Sequence, residues 1–113
     1  MPGRYGDVVS IAATTAGVTG TIIVTEGAHL RELVFCEVDD DGVLVEAELS
    51  WTSSPSPLKF VPNRAKQLTA TNGAGLAFGG NMPLDVIVKN ATTVTIKLTS
   101  LANMTVLVGL RWD

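Results

Sequence analysis

The sequence predicts an all-β fold, an antiparallel β-sandwich of about eight strands. Apolar and polar residues alternate with a period of two in several segments, and β-branched residues are abundant in those segments. Turn-forming residues recur every 8–12 residues or so, which is the spacing of short sandwich strands. No segment longer than about ten residues shows the 3.6-residue period of an amphipathic helix, so we expect little helix.

The first part of the chain is predicted to form five strands. Four of them are alternating, β-branched segments, at residues 7–13, 19–25, 30–38 and 43–51. A weaker fifth strand is expected near 58–61 or 65–71. Pro55 and Pro57 mark the segment between the fourth and fifth strands as a loop, because proline has no N–H for a strand ladder.

The last part of the chain shows the clearest alternation, with strands predicted at 84–89, 93–99 and 104–112. Short polar turns at 90–92 and 100–103 separate these strands, so they are predicted to form an antiparallel meander or two hairpins. A sandwich of about eight antiparallel strands in a chain of this size is most economically a single jelly roll or a related Greek key.

Length and composition limit the classes of protein. The chain of 113 residues is expected to form one domain, 1–113, since domains commonly have about 100–150 residues. Hydrophobic residues make up 46%, but no apolar run reaches the roughly 18 residues of a membrane helix, so we expect surface buried against partner subunits and no membrane contact. The net charge of −3 argues against binding to nucleic acid.

The first ten residues lack an apolar segment behind a basic start, so the sequence predicts no signal peptide and synthesis in the cytoplasm. Cys36 is the only cysteine, which excludes an internal disulfide and fits a reducing compartment. Because Cys36 belongs to an apolar run, we expect it to be a small buried hydrophobe.

The segment 37–48, EVDDDGVLVEAE, matches most of the spacing of an EF-hand calcium loop. Asp39 and Asp41 occupy its third and fifth positions, Gly42 the sixth and a glutamate the twelfth. The flanking segments alternate as strands and do not supply the helices that such a loop requires, so we expect a hairpin turn at Asp41-Gly42. A calcium site of another kind, on the tip formed by Asp39, Asp40 and Asp41, stays open as an alternative; no cofactor is expected.

Few residues offer catalytic chemistry. His29 is the only histidine, and no sequence pattern marks a nucleophile for it, so we expect no enzyme activity. Trp51 and Trp112 are in phase with the inward faces of their strands, which favours core packing. The alternative function is a ligand-binding β-sandwich such as a carbohydrate-binding module, in which the two tryptophans would form a sugar-stacking platform.

The final run, PLDVIVKNATTVTIKLTSLANMTVLVGLRWD, consists of three apolar, threonine-rich strands that end one residue past a tryptophan. With its small turns, the chain resembles the small jelly-roll structural proteins of icosahedral viruses and phages, which serve as coat, vertex or decoration (cement) subunits. The resemblance implies a homo-oligomer or attachment to other shell proteins, no enzyme activity, and incorporation into a virion or other particle. The absence of a basic N-terminal arm favours a minor capsid, vertex or decoration role over a genome-contacting shell.

Under this interpretation, association depends on apolar side chains on the outward faces of strands and in the glycine-rich segment 72–81. The interface candidates are Leu33, Phe35, Leu76, Phe78, Ile87 and Leu107.

Overall fold

The computed structural model describes residues 5–37, 44–52, 54, 57–60 and 79–113. These residues form eight strands and no helix, which confirms the all-β prediction. The strands are β1 (Tyr5–Ala13), β2 (Val18–Ile23), β3 (His29–Glu37), β4 (Leu44–Ser50), β5 (Leu58–Phe60), β6 (Gly79–Ile87), β7 (Thr93–Ser100) and β8 (Met104–Trp112). Within the described residues there is accordingly no helix with the length and apolar character needed to cross a membrane.

The strands form two four-stranded sheets that pack face to face. The first sheet has the order β1-β8-β3-β6, and the second sheet has the order β2-β7-β4-β5. Every pairing of neighbouring strands in both sheets is antiparallel. The structure therefore confirms the antiparallel β-sandwich.

The strand pairing has the pattern of one long hairpin that has been rolled up. β1 pairs with β8, β2 with β7, β3 with β6 and β4 with β5, so the pairs are nested from the ends of the described chain toward its middle. Rolling adds two further pairings, β3 with β8 and β4 with β7. As a result β8 and β7 lie in the interiors of their sheets.

The prediction that the last three strands form a meander or two hairpins is wrong, because β6 and β8 belong to the first sheet and β7 to the second. The predicted hairpin around Asp41-Gly42 is wrong for the same reason: β3 and β4 lie in opposite sheets and do not pair. Packed sheets are about 10 Å apart, and three extended residues span about 10 Å, so a short connection can cross the sandwich as readily as it can close a hairpin.

The core lies between the inner faces of the two sheets. β8 contributes its five alternate residues from Met104 to Trp112, all at most 6% exposed, and β7 contributes the fully buried Val94, Ile96 and Leu98. The inward faces predicted for these two strands are therefore confirmed. Gly20 of β2 also faces this space, and a Cβ atom there would lie 2.9 Å from Ile11 Cγ1, so glycine allows β1 and β2 to approach each other.

A β-bulge in β3 corrects three predictions made from the sequence. In the pairing with β8, Leu30 is opposite Trp112 and Glu32 is opposite Arg111, which means that β3 has one extra residue there. Leu30, Leu33 and Phe35 consequently all face inward and are fully buried, whereas Cys36 is exposed. Leu33 and Phe35 belong to the core and not to an outward face, and Cys36 is not a buried hydrophobe.

Candidate interaction surface

The outer face of the first sheet is apolar at its centre. The strand register places Gly109 of β8 between Val8 of β1 and Val34 of β3, and it places Leu107 beside Cys36 in the next row. The exposed fractions are 61% for Val8, 36% for Val34 and 39% for Leu107. Because these residues are neighbours on adjacent strands, they form one contiguous patch, which we call the apolar face.

The apolar face contains a concavity of about 550 Å³ above Gly109. Gly109 has no side chain, so the side chains of Val8 and Val34 stand as walls on either side of it. A Cβ atom placed on Gly109 would lie 3.8 Å from Val34 Cβ and 3.9 Å from Val8 Cγ2, which is ordinary van der Waals distance. The concavity is lined by Gly6, Asp7, Val8, Val34, Cys36, Leu107, Gly109, Leu110 and Arg111.

Charged residues border the apolar face at the end where β8 finishes. Arg111 Nη1 donates a hydrogen bond to Glu32 Oε1 at 2.6 Å, and these residues are directly opposite each other on β8 and β3. Arg31 Nε donates to Asp113 Oδ2 at 2.9 Å. Such surface ion pairs contribute about 0–1 kcal/mol each to the free energy of unfolding. Their main effect here is to hold the charged side chains in defined positions.

His29, the first residue of β3, forms a side-chain hydrogen bond with Asp85 of β6. Ile87, whose exposed fraction is 50%, is the register partner of His29. The sequence predicted an outward position for Ile87, and the structure places it there. This pair of strands thus extends the same outer face beyond the charged border.

The outer face of the second sheet has a different chemistry. Its exposed and half-buried positions carry hydroxyl and charged side chains, namely Thr19, Thr21, Ser50, Thr93, Thr95, Lys97, Thr99, Glu46, Glu48 and Lys59. Lys59 Nζ lies 3.9 Å from Glu48 Oε1 and 4.0 Å from Glu46 Oε1. Among the large exposed hydrophobic residues on described strands, only Ile23 belongs to this face.

The remaining predicted site residues divide into three groups. Leu107 is exposed on the apolar face as predicted, whereas Leu33 and Phe35 are buried in the core. Leu76, Phe78 and the acidic tip Asp39, Asp40 and Asp41 lie outside the described residues.

Sequence reasoning missed Val8 and Val34 as members of the outer face. The signal for Val8 was available, since the adjacent Val8 and Val9 of one strand cannot both point inward. Val34 was hidden by the bulge in β3, which reverses the faces of the residues that follow it. Its neighbours Leu33 and Phe35 are equally apolar, so composition did not show which of the three faces outward.

The tryptophans do not form a joint platform for a sugar. Trp112 is only 6% exposed and belongs to the core, as predicted, and Tyr5 stacks against it with ring centroids 6.2 Å apart. Trp51 is half-buried and packs against the core just after β4. Across the described part of the chain, no group of three or more His, Cys, Asp or Glu residues is arranged to hold a metal ion.

No family model matches the chain, and no curated protein matches it. Among solved structures, it is similar to a chain of the "Cyanophage Pam1 capsid asymmetric unit". The two are 16% identical, the match covers 97% of this chain and 86% of that chain, and the TM-score is 0.45. A likeness of this degree assigns neither a family nor a function.

Proposed function

We propose that this chain is a non-enzymatic structural protein built as a single jelly roll, and that it self-assembles or attaches to the shell of a virion as a minor capsid, vertex or decoration subunit. The observation that carries the proposal is the difference between the two outer faces of the sandwich. One is apolar around a concavity at Gly109, and the other is covered by threonine and charged side chains.

An apolar outer face needs a partner to exclude water from it. Antiparallel sheets that face solvent alternate between apolar inward residues and polar outward ones. The second sheet follows this rule with its outward threonines, whereas the first sheet breaks it with Val8, Val34 and Leu107. Contiguous exposed apolar surface on a small protein marks a site of association.

The topology supports the finer assignment of a jelly roll. A jelly roll is an eight-strand, double-sheet structure of two Greek keys, and it occurs in viral capsid domains. The nested pairing of β1 with β8, β2 with β7, β3 with β6 and β4 with β5 is the pairing expected when a long hairpin is rolled into such a structure.

Native mass spectrometry of the purified protein tests the proposal. We expect the wild-type chain to form a discrete assembly, and we expect Leu107→Glu to dissociate it, because a carboxylate in the buried interface lacks a partner. The matched control is Thr21→Glu, which adds the same charge at an exposed position on the outer face of the second sheet and should leave the assembly intact. A wild-type monomer, or an assembly that Leu107→Glu leaves unchanged, would contradict self-assembly through this face.

A further inference from the structure

The two central strands of the apolar face carry residues that complement one another. Three rows of outward residues run across β8 and β3, and the rows pair Arg111 with Glu32, Gly109 with Val34 and Leu107 with Cys36. The first row combines a cation with an anion. The second combines a glycine with a branched side chain, and the third combines two apolar side chains. Because the two residues of each row complement each other, two copies of this surface fit together when β3 of one copy lies over β8 of the other.

We infer that a second copy of this chain docks on the apolar face about a two-fold axis that runs parallel to the strands, midway between β8 and β3. The inference rests on the proposed function and specifies its interface. A two-fold axis in this position keeps the rows and exchanges the strands, so β3 of the second copy lies over β8 of the first. Such an interface is isologous, with each contact made twice.

The charges and shapes of the three rows select this axis. Arg111 faces Glu32 of the second copy, and Val34 of the second copy enters the concavity above Gly109. A two-fold axis perpendicular to the strands, placed between the rows of Leu107 and Gly109, would instead put Arg111 opposite Thr105. Complementary charge across an interface fixes its register and excludes other arrangements.

The edges of the first sheet are less suitable for a second copy. At the β1 edge, the Val8 backbone N–H donates to Asp7 Oδ1 at 2.8 Å, so that donor is already satisfied by a side chain. At the β6 edge, Pro83 has no N–H to offer a further strand. Each device removes one backbone donor from strand addition at its edge, so the face of this sheet is the more suitable surface for association.

A mixing experiment with two charge-reversal variants tests the two-fold arrangement. In Glu32→Arg both positions are cationic, and in Arg111→Glu both are anionic, so each variant brings like charges together across the proposed interface. We expect each variant alone to self-associate at least about tenfold more weakly than the wild type. An equimolar mixture should form a heterodimer, because each cationic position of one chain then faces an anionic position of the other. Native mass spectrometry separates the species.

The mixture distinguishes the interface from a loss of folding. Each chain in the mixture still has like charges at its own positions 32 and 111, so recovered association cannot come from repair within a chain. A mixture that stays monomeric while both variants keep their thermal unfolding transition would overturn the two-fold arrangement. If Leu107→Glu still dissociates the wild-type assembly in that case, the proposed function stands and only this arrangement fails.

A second variant avoids any change of charge. Gly109→Leu fills the concavity from its own chain, where a Cβ atom fits at van der Waals distance, and should therefore block entry of Val34 of the second copy. Thr21→Leu is the control, since it places the same side chain on the outer face of the second sheet. We expect only Gly109→Leu to abolish the homodimer; a homodimer that persists in Gly109→Leu contradicts the inference.

Discussion

At the scale of single residues, the position of a side chain relative to the bulge in β3 decides whether it faces the core or the solvent. Phe35 is the largest fully buried side chain of the described core. It would point to solvent if β3 were a regular strand with Leu30 inward, because residues an odd number of positions apart occupy opposite faces. The extra residue that β3 has between Leu30 and Glu32, relative to β8, turns it inward.

We predict that Phe35→Ala lowers the free energy of unfolding by about 3–5 kcal/mol, since it removes a buried aromatic ring and leaves a cavity between the sheets. Ile23→Ala is the matched control: Ile23 is 73% exposed on the second sheet, and its truncation should cost less than about 1 kcal/mol. Urea unfolding followed by tryptophan fluorescence measures both. Equal losses in the two variants would contradict the placement of Phe35 in the core.

At the scale of elements, β1 is an edge strand of nine residues with one acidic side chain and no proline. An edge of this length exposes unpaired N–H and C=O groups that another strand can bind. Asp7 limits this exposure, because its carboxylate accepts the Val8 N–H that would otherwise remain open. The adjacent carboxylate also places a negative charge on the edge.

We predict that Asp7→Ala increases aggregation through the β1 edge at high protein concentration, because the Val8 N–H loses its acceptor. Light scattering and thioflavin fluorescence measure the aggregation. Asp7→Asn is the control, because it removes the same charge but keeps an oxygen that can accept the Val8 N–H. If the hydrogen bond protects the edge, Asp7→Asn should aggregate less than Asp7→Ala. Identical aggregation of the two variants would assign the protection to charge alone.

The existence of the strands was predictable from the sequence, but the assignment of each strand to one of the two sheets was not. Alternation predicted the 104–112 strand at its observed bounds, because inward and outward residues of a half-buried strand differ in polarity. The same alternation does not say which of two sheets a strand joins, since both inner faces line one core. Alternation also does not reveal β-bulges. β3 and β4 each contain a register shift, and each shift changes which of the residues that follow face outward.

The apolar face was predictable only in part, for the same reason. Leu107 lies in a part of β8 where the pairing with β1 and β3 is regular, and the sequence placed it outward. The sequence also placed Ile87 outward, where the structure has it, although the register between β3 and β6 shifts just beside it, between Val86 and Pro83. The concavity depends on Gly109 having Val8 on one side and Val34 on the other, residues about a hundred and about seventy-five positions away in the chain. Only the pairing of β1 and β3 with β8 brings these residues together.

At the scale of the whole molecule, folding depends on contacts between distant parts of the sequence. β1 and β8 lie at opposite ends of the described chain and form a continuous ladder from Tyr5 paired with Trp112 to Ala13 paired with Met104. β8 also pairs with β3 on its other side. Because a structure of this kind has few local contacts to build on, we expect it to fold as one unit on a timescale of milliseconds to seconds.

We predict that a chain ending at Asn103, which lacks β8, does not fold. The deletion removes five buried side chains from the core. At about 1.5–3 kcal/mol each, their burial is comparable to the whole stability of a typical domain, about 5–15 kcal/mol. Circular dichroism should therefore show no cooperative thermal transition for the shortened chain.

Adding a synthetic peptide of residues 104–113 should restore the transition, because β8 would refill the gap between β1 and β3 and return Trp112 to the core. A peptide with Val106→Asp and Val108→Asp is the control. Both positions are fully buried, so a carboxylate there would lose its hydration, and this peptide should not restore the transition. A shortened chain that unfolds cooperatively without any peptide would contradict the prediction and would show that β8 is not needed to hold the two sheets together.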